Sequence, residues 1–182
     1  MKKEARLRNW LRANKGDWHL SWIEPAHGST VGVPDVMAIT PAGKIIVLEL
    51  KWVAWRLDGR PKMNLRPEQK VWHRMAATRK VASGFLVAVD LPPKISMALG
   101  KAAKCDGACE AGAAASRRVA DEMSGGSRWW AKHITDVKCD WWVRKGWLPA
   151  VFSSEDMHSA EGIPRMKAVY TSFDLAFAVS GW

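Results

Sequence analysis

The chain has 182 residues, about one domain's length, and its 48% hydrophobic and 25% charged residues exclude a wholly disordered or collagen-like polymer. No run approaches the roughly 18 apolar residues of a membrane span, and the charged start, Met1 to Arg8, lacks the apolar stretch of a secretory signal. The net charge of +10 is uneven, with 16 basic and 8 acidic side chains in residues 1–91 against 12 and 10 in residues 92–182.

A basic excess attracts polyanions, with nucleic acid the first expectation and an acidic membrane surface the second. Three cysteines give no disulfide framework and fit a reducing compartment, so a soluble cytoplasmic protein is expected. The twelve tryptophans are expected mostly in the core or half-buried at the surface, although Trp also stacks on bases.

Residues 3–14 read as a helix, with Leu7, Trp10 and Leu11 at helical spacing, Arg6, Arg8 and Arg12 around them, and Gly16 as the stop. Trp18 to Glu24 alternates weakly and reads as a strand; His27 to Val31 reads as a loop. Val36 to Thr40 and Ile45 to Leu50 are strands by their β-branched and apolar content. Leu57 to Arg66 is a basic, polar connector. Pro67 opens a helix to about Val81, since its missing N–H costs nothing in the first turn. Gly84 and a short buried strand, Phe85 to Val89, follow, and Pro92-Pro93 marks a boundary.

Beyond it, Lys94 to Lys104 and Cys109 to Met123 read as Ala-rich helices, and Ser124 to Ser127 as a flexible joint. Trp141 to Val143, Leu148 to Phe152 and Ala168 to Thr171 are candidate strands. Ser153 or Ser154 is a candidate cap for a short helix before Gly162, and Ser172 for a last helix through Val179. The expected organisation is a core over residues 1–91, then an Ala-rich helical insertion and α/β extension over residues 92–182 packed on it.

The chemistry gathers around Thr40-Pro41-Ala42-Gly43-Lys44. A three-residue hairpin loop takes a type I turn followed by a left-handed residue, for which Pro41 and Gly43 are suited. If Thr40 and Lys44 close the loop, Asp35 stands opposite Glu49 and Lys51 projects from the same face. Opposed carboxylates repel. Lys51 offsets one charge, and a hard divalent cation such as Mg²⁺, with Mn²⁺ as a substitute, would offset the rest. Phosphodiester hydrolysis assisted by such an ion is the reaction class this pattern predicts. The competing reading is a surface salt bridge. Against it, Ile45 to Leu50 is apolar on both faces apart from Glu49, as in a strand covered on both sides, where a charge is costly unless paired or functional.

Gly32-Val33-Pro34-Asp35, then Glu49-Leu50-Lys51, then Gln69 on a helix and the strand Phe85 to Val89, resembles the PD-(D/E)XK nuclease superfamily. The likeness is greatest to its virus-type replication-repair nuclease group, which is similar to Holliday-junction resolvases. It covers residues 3–90, about half the chain. It implies an α/β fold: an α-β-β-β-α-β core with a central mixed sheet flanked by helices, here followed by an α-rich C-terminal extension. It implies metal ligation by Asp35, Glu49 and the backbone carbonyl of Leu50, a catalytic role for Lys51, and a glutamine, Gln69, near the site. Glu4 matches a helix glutamate that many members direct toward the metal; Glu24 is its rival. The implied activity is a structure-specific endonuclease on branched DNA, of viral or mobile-element origin and acting as a homodimer, since a junction needs two cuts.

Around this centre, Arg56, Arg60, Lys62 and Arg66 suit phosphate contacts, and Trp55 suits stacking at a branch point; a solvated basic loop is the alternative. His73, one turn after Gln69, either touches substrate or is structural. Cys105, Cys109, His133 and Cys139 are a weak zinc candidate beside free buried thiols. The rival functions are a duplex or single-strand nuclease of restriction or replication-repair type, a non-catalytic DNA-binding or inhibitory module on the same fold, and a basic structural protein.

Overall fold

A computed structural model describes residues 3–23, 32–55, 61–90, 134–135, 145–156, 166–169 and 172–182. The helix set by Leu7, Trp10 and Leu11 is α1 (Lys3–Ala13), which buries those three side chains. It is followed by β1 (His19–Trp22), β2 (Val36–Ile39), β3 (Ile45–Trp55), β4 (Pro61–Lys62), α2 (Pro67–Thr78) and β5 (Ser83–Asp90). Then come β6 (Ile134–Thr135), β7 (Trp147–Ser153), β8 (Met166–Ala168) and α3 (Ser172–Val179). The fold is mixed α/β. The strands form one sheet in the order β1-β2-β3-β5-β7-β8-β6, with the short β4 paired to β3.

The β2–β3 hairpin follows from its turn residues. Gly43 sits at φ +78°, its N–H donates to the Thr40 carbonyl at 2.9 Å, and the Thr40 N–H donates to the Lys44 carbonyl at 2.9 Å. Thr40 and Lys44 therefore close the loop, and the strands pair from Ile39 opposite Ile45 to Val36 opposite Leu48. Helix α2 carries the chain over to β5, which runs parallel to β3 with Glu49 beside Phe85. Strand β7 then pairs antiparallel to β5, with Phe152 beside Phe85.

Alternation sends the two sides of β3 to different layers. Ile46, Leu48 and Leu50 join Val36, Ala38, Leu86 and Ala88 in a buried cluster with α1, to which α3 adds Leu175, Ala178 and Val179. On the other side α2 buries Gln69, His73 and Ala76. The His73 ring lies 3.9 Å from Phe85, and Phe85 stacks on Phe152 at 4.7 Å. A strand covered on both faces explains the continuous apolar run of β3.

Three expectations need correction. Strand β3 does not stop at Leu50 but continues to Trp55, because β4 pairs with Ala54 and Trp55 on one edge and β5 pairs as far as Ala54 on the other. Helix α2 stops at Thr78 rather than near Val81, and Lys80 takes a left-handed φ of 53°. The second half does not simply lie against the first: β7, β8 and β6 extend the same sheet. The expected helices Lys94–Lys104 and Cys109–Met123, the candidate strand Trp141–Val143, and Cys105, Cys109, His133 and Cys139 lie outside the described residues. Among the described residues no helix is long and apolar enough to cross a membrane.

Candidate active site

Asp35 immediately precedes β2, so the hairpin register carries one step further to Glu49. The backbone fixes Asp35 on both sides. Its carbonyl accepts the Ile23 N–H at 2.9 Å, and its Oδ2 accepts the Leu50 N–H at 2.8 Å. Its Oδ1 receives Nη2 of Arg8, from α1, at 3.2 Å.

Glu49 is 1% exposed. Its Oε1 receives Nζ of Lys51 at 2.8 Å and Nε2 of Gln69 at 2.5 Å. Its Oε2 is buried with no hydrogen-bond partner. A buried carboxylate oxygen without a donor is costly to keep charged. The carboxyl is accordingly raised from 4.5 to about 7, by burial first and by the charge of Asp35 second, with Lys51 pulling the other way and Glu4 adding to the rise. Lys51 projects from the same face as Glu49, two residues on, and its side chain is 16% exposed.

Gln69 reaches Glu49 because of how α2 begins. Pro67 opens the helix and Gln69 is its third residue, where a side chain folds back onto the helix start. The Gln69 carbonyl Oε1 accepts the Arg66 N–H at 3.1 Å, which aims its amide nitrogen at Glu49. One side chain thus caps α2 and orients the acid on β3.

Other expected residues fall differently. Glu4 lies exposed in the first turn of α1, within the electrostatic reach of Glu49. His73 is fully buried; its Nδ1 shares a 2.7 Å hydrogen bond with Ser154 Oγ, itself 2.8 Å from Ser83 Oγ. It offers no surface to DNA, which corrects the expectation of a substrate contact: the face it shares with Gln69 is the one packed on the sheet. Arg66 is exposed at the start of α2. Trp55 and Lys62 lie on the paired ends of β3 and β4. Arg56, Arg60 and Glu24 lie outside the described residues.

The sequence reading missed Arg8 as the partner of Asp35. The available signal was its position four residues after Glu4, on one helix face. It also missed that the cations of α1 rest on tryptophans: Lys3 and Arg6 lie 5.6 and 5.5 Å from the Trp52 ring, and Arg8 and Arg12 lie 5.3 and 4.8 Å from the Trp22 ring.

The donor set suits a hard cation. Among the described residues no three acids, histidines or cysteines gather into a ligand group; the centre is a carboxylate pair. Mg²⁺ commonly takes one or two carboxylates and keeps several waters. Asp35 and Glu49 provide that pair, and the donorless Oε2 of Glu49 is the atom an ion would satisfy. No family model, curated protein or solved structure matches this chain.

Proposed function

We propose that this chain is a divalent-metal-dependent DNA endonuclease with a PD-(D/E)XK-type core, cutting branched DNA such as four-way junctions, as a homodimer in the cytoplasm. One observation carries the reading. A buried glutamate is kept against its own desolvation beside an aspartate, with a lysine on Oε1 and no donor on Oε2. A residue needed only for packing would not be an acid there.

Asp35, Glu49 and the Leu50 carbonyl would hold Mg²⁺ or Mn²⁺, which when bound supplies charge neutralisation at a phosphate and a nucleophile near neutral pH. The chain's own groups do the rest. The Leu50 N–H and Arg8 fix the Asp35 carboxylate. Gln69 fixes Oε1 of Glu49 and leaves Oε2 available. Lys51 brings an ammonium to the place where charge develops on the phosphate, or orients the attacking water. Branched DNA and the dimer follow from the resemblance, and the compartment from the cysteine content, rather than from this geometry.

A second reading has its own observation. Each acid already carries a cation, Arg8 on Asp35 and Lys51 on Glu49, which suits a non-catalytic DNA-binding module. Labelled four-way junction, flap, duplex and single strand, incubated with the protein in Mg²⁺ or in EDTA, separate the two. Cutting of a branched form in Mg²⁺ alone supports the endonuclease. Cutting of duplex or single strand instead moves the substrate to the restriction or replication-repair type. Binding without cutting in either Mg²⁺ or Mn²⁺ favours the module.

A further inference from the structure

We propose that α1 presents a nucleic-acid backbone clamp in which Arg6, over the Trp52 ring, and Arg12, over the Trp22 ring, hold phosphates next to the Asp35–Glu49 pair. The inference rests on the reading that the substrate is DNA, and it moves the main phosphate contacts from the connector after β3 to the first helix.

The placement follows from the sheet. Trp22 pairs with Val36, the residue after Asp35, and Trp52 follows Lys51. Because β1 and β3 both run antiparallel to β2, both tryptophans sit at the end of the sheet that holds the acids. Leu7, Trp10 and Leu11 fix α1 on the core, which leaves Arg6 on one flank of the helix and Arg8 and Arg12 on the other. Each flank meets one tryptophan.

Within its 11 residues α1 places four cations over two tryptophan rings. Two of the four cations are committed elsewhere, Lys3 to Asp90 at 2.5 Å and Arg8 to Asp35. Arg6 and Arg12 are exposed and make no salt bridge among the described residues. A guanidinium held over an indole has given up part of its freedom before a phosphate arrives and loses less on binding. A lipid surface fits less well. A helix lying on a membrane turns its apolar face to the lipid, whereas the apolar face of α1 is buried in the core.

The test is fluorescence anisotropy of labelled duplex and four-way junction in EDTA, across a salt series. R6A/R12A is compared with wild type and with R74A/R79A, which removes two exposed cations from α2 and its C-terminal cap. R6A/R12A is expected to bind about 10-fold more weakly and to lower the log–log salt slope by about 2, while R74A/R79A shifts affinity less than about two-fold. R6K/R12K, which keeps charge and fold but replaces each planar guanidinium with a point-charge ammonium, is expected between wild type and the double alanine. Wild-type affinity in R6A/R12A, an equal loss in R74A/R79A, or binding of phosphatidylserine vesicles but not of DNA would overturn the clamp. DNA binding with the expected losses but no cutting in Mg²⁺ keeps the clamp and removes the endonuclease. Cutting with unaltered affinity in R6A/R12A does the reverse.

Discussion

Gln69 donates to Oε1 of Glu49 at 2.5 Å while its own carbonyl accepts the Arg66 N–H, so the start of α2 and the acid of β3 are held by one side chain. Gln69→Ala removes a cap contact and a donor to a buried acid together. The expected loss of stability is about 1–3 kcal/mol, and divalent-ion affinity should fall as Glu49 loses its orientation. Denaturant unfolding and an Mn²⁺ titration read the two effects. An unaltered unfolding midpoint would contradict the double role.

The carboxyl of Glu49 is raised to about 7 from 4.5, mainly by burial and then by Asp35. The folded form therefore holds a proton at pH values where the unfolded chain has released it. The stability this contributes is full below about 4.5 and is lost as pH rises through about 7. In EDTA, the metal-free protein should lose stability across that window, by no more than roughly 3 kcal/mol from this group. Glu49→Gln should flatten that part of the profile. Thermal melts of both proteins over a pH series check this; equal slopes would place the titration elsewhere.

The same carboxyl must lose its proton to ligate an ion. Apparent Mn²⁺ affinity should therefore rise as pH increases toward about 7 and level off above it. Competition against a metal-sensitive dye at several pH values measures this. An affinity independent of pH below 7 would mean that Glu49 is not a ligand.

How much of this was legible depended on how local the cause was. Pro41 and Gly43 carry turn chemistry in their own side-chain types, so the hairpin and the opposition of Asp35 and Glu49 could be read from them. The end of β3 could not, because Lys51 interrupts the apolar run and the strand is extended by pairing with β4 and β5. The Arg8–Asp35 ion pair joins residues 27 apart, and the spacing of Arg8 from Glu4 on α1 was the one local signal for it. His73 shows a different limit: the spacing to Gln69 gave the shared face correctly, but only the position of Phe85 shows that this face is packed.

Glycine at 84 is required by space rather than by φ. A Cβ there would lie 2.3 Å from the Phe152 carbonyl oxygen and 2.5 Å from the Trp182 ring. Gly84→Ala must push β5 from β7 or displace Trp182, at an expected cost of about 1–3 kcal/mol. Gly43→Ala meets nothing within 4 Å and strains only the turn, by about 1–2 kcal/mol. Gly32→Ala combines a φ of +91° with a Cβ 2.7 Å from the Glu68 backbone, next to the segment that delivers Asp35. Of the three, it should lower ion affinity as well as stability. Melting temperatures and Mn²⁺ titrations of the set test this; lower ion affinity in Gly43→Ala but not in Gly32→Ala would contradict it.

The central claim is that Asp35, Glu49 and Lys51 act together on a phosphodiester bond. Its most direct test is single-turnover cleavage of four-way junction in Mg²⁺ by wild type, Asp35→Ala and Lys51→Ala, with junction affinity measured in parallel in EDTA. The account predicts metal-dependent cutting by wild type, no cutting by either variant, and affinities within a few-fold of one another, because phosphate contacts away from the pair dominate binding. Turnover retained in Asp35→Ala or Lys51→Ala, or wild-type cutting that persists in EDTA, would contradict it.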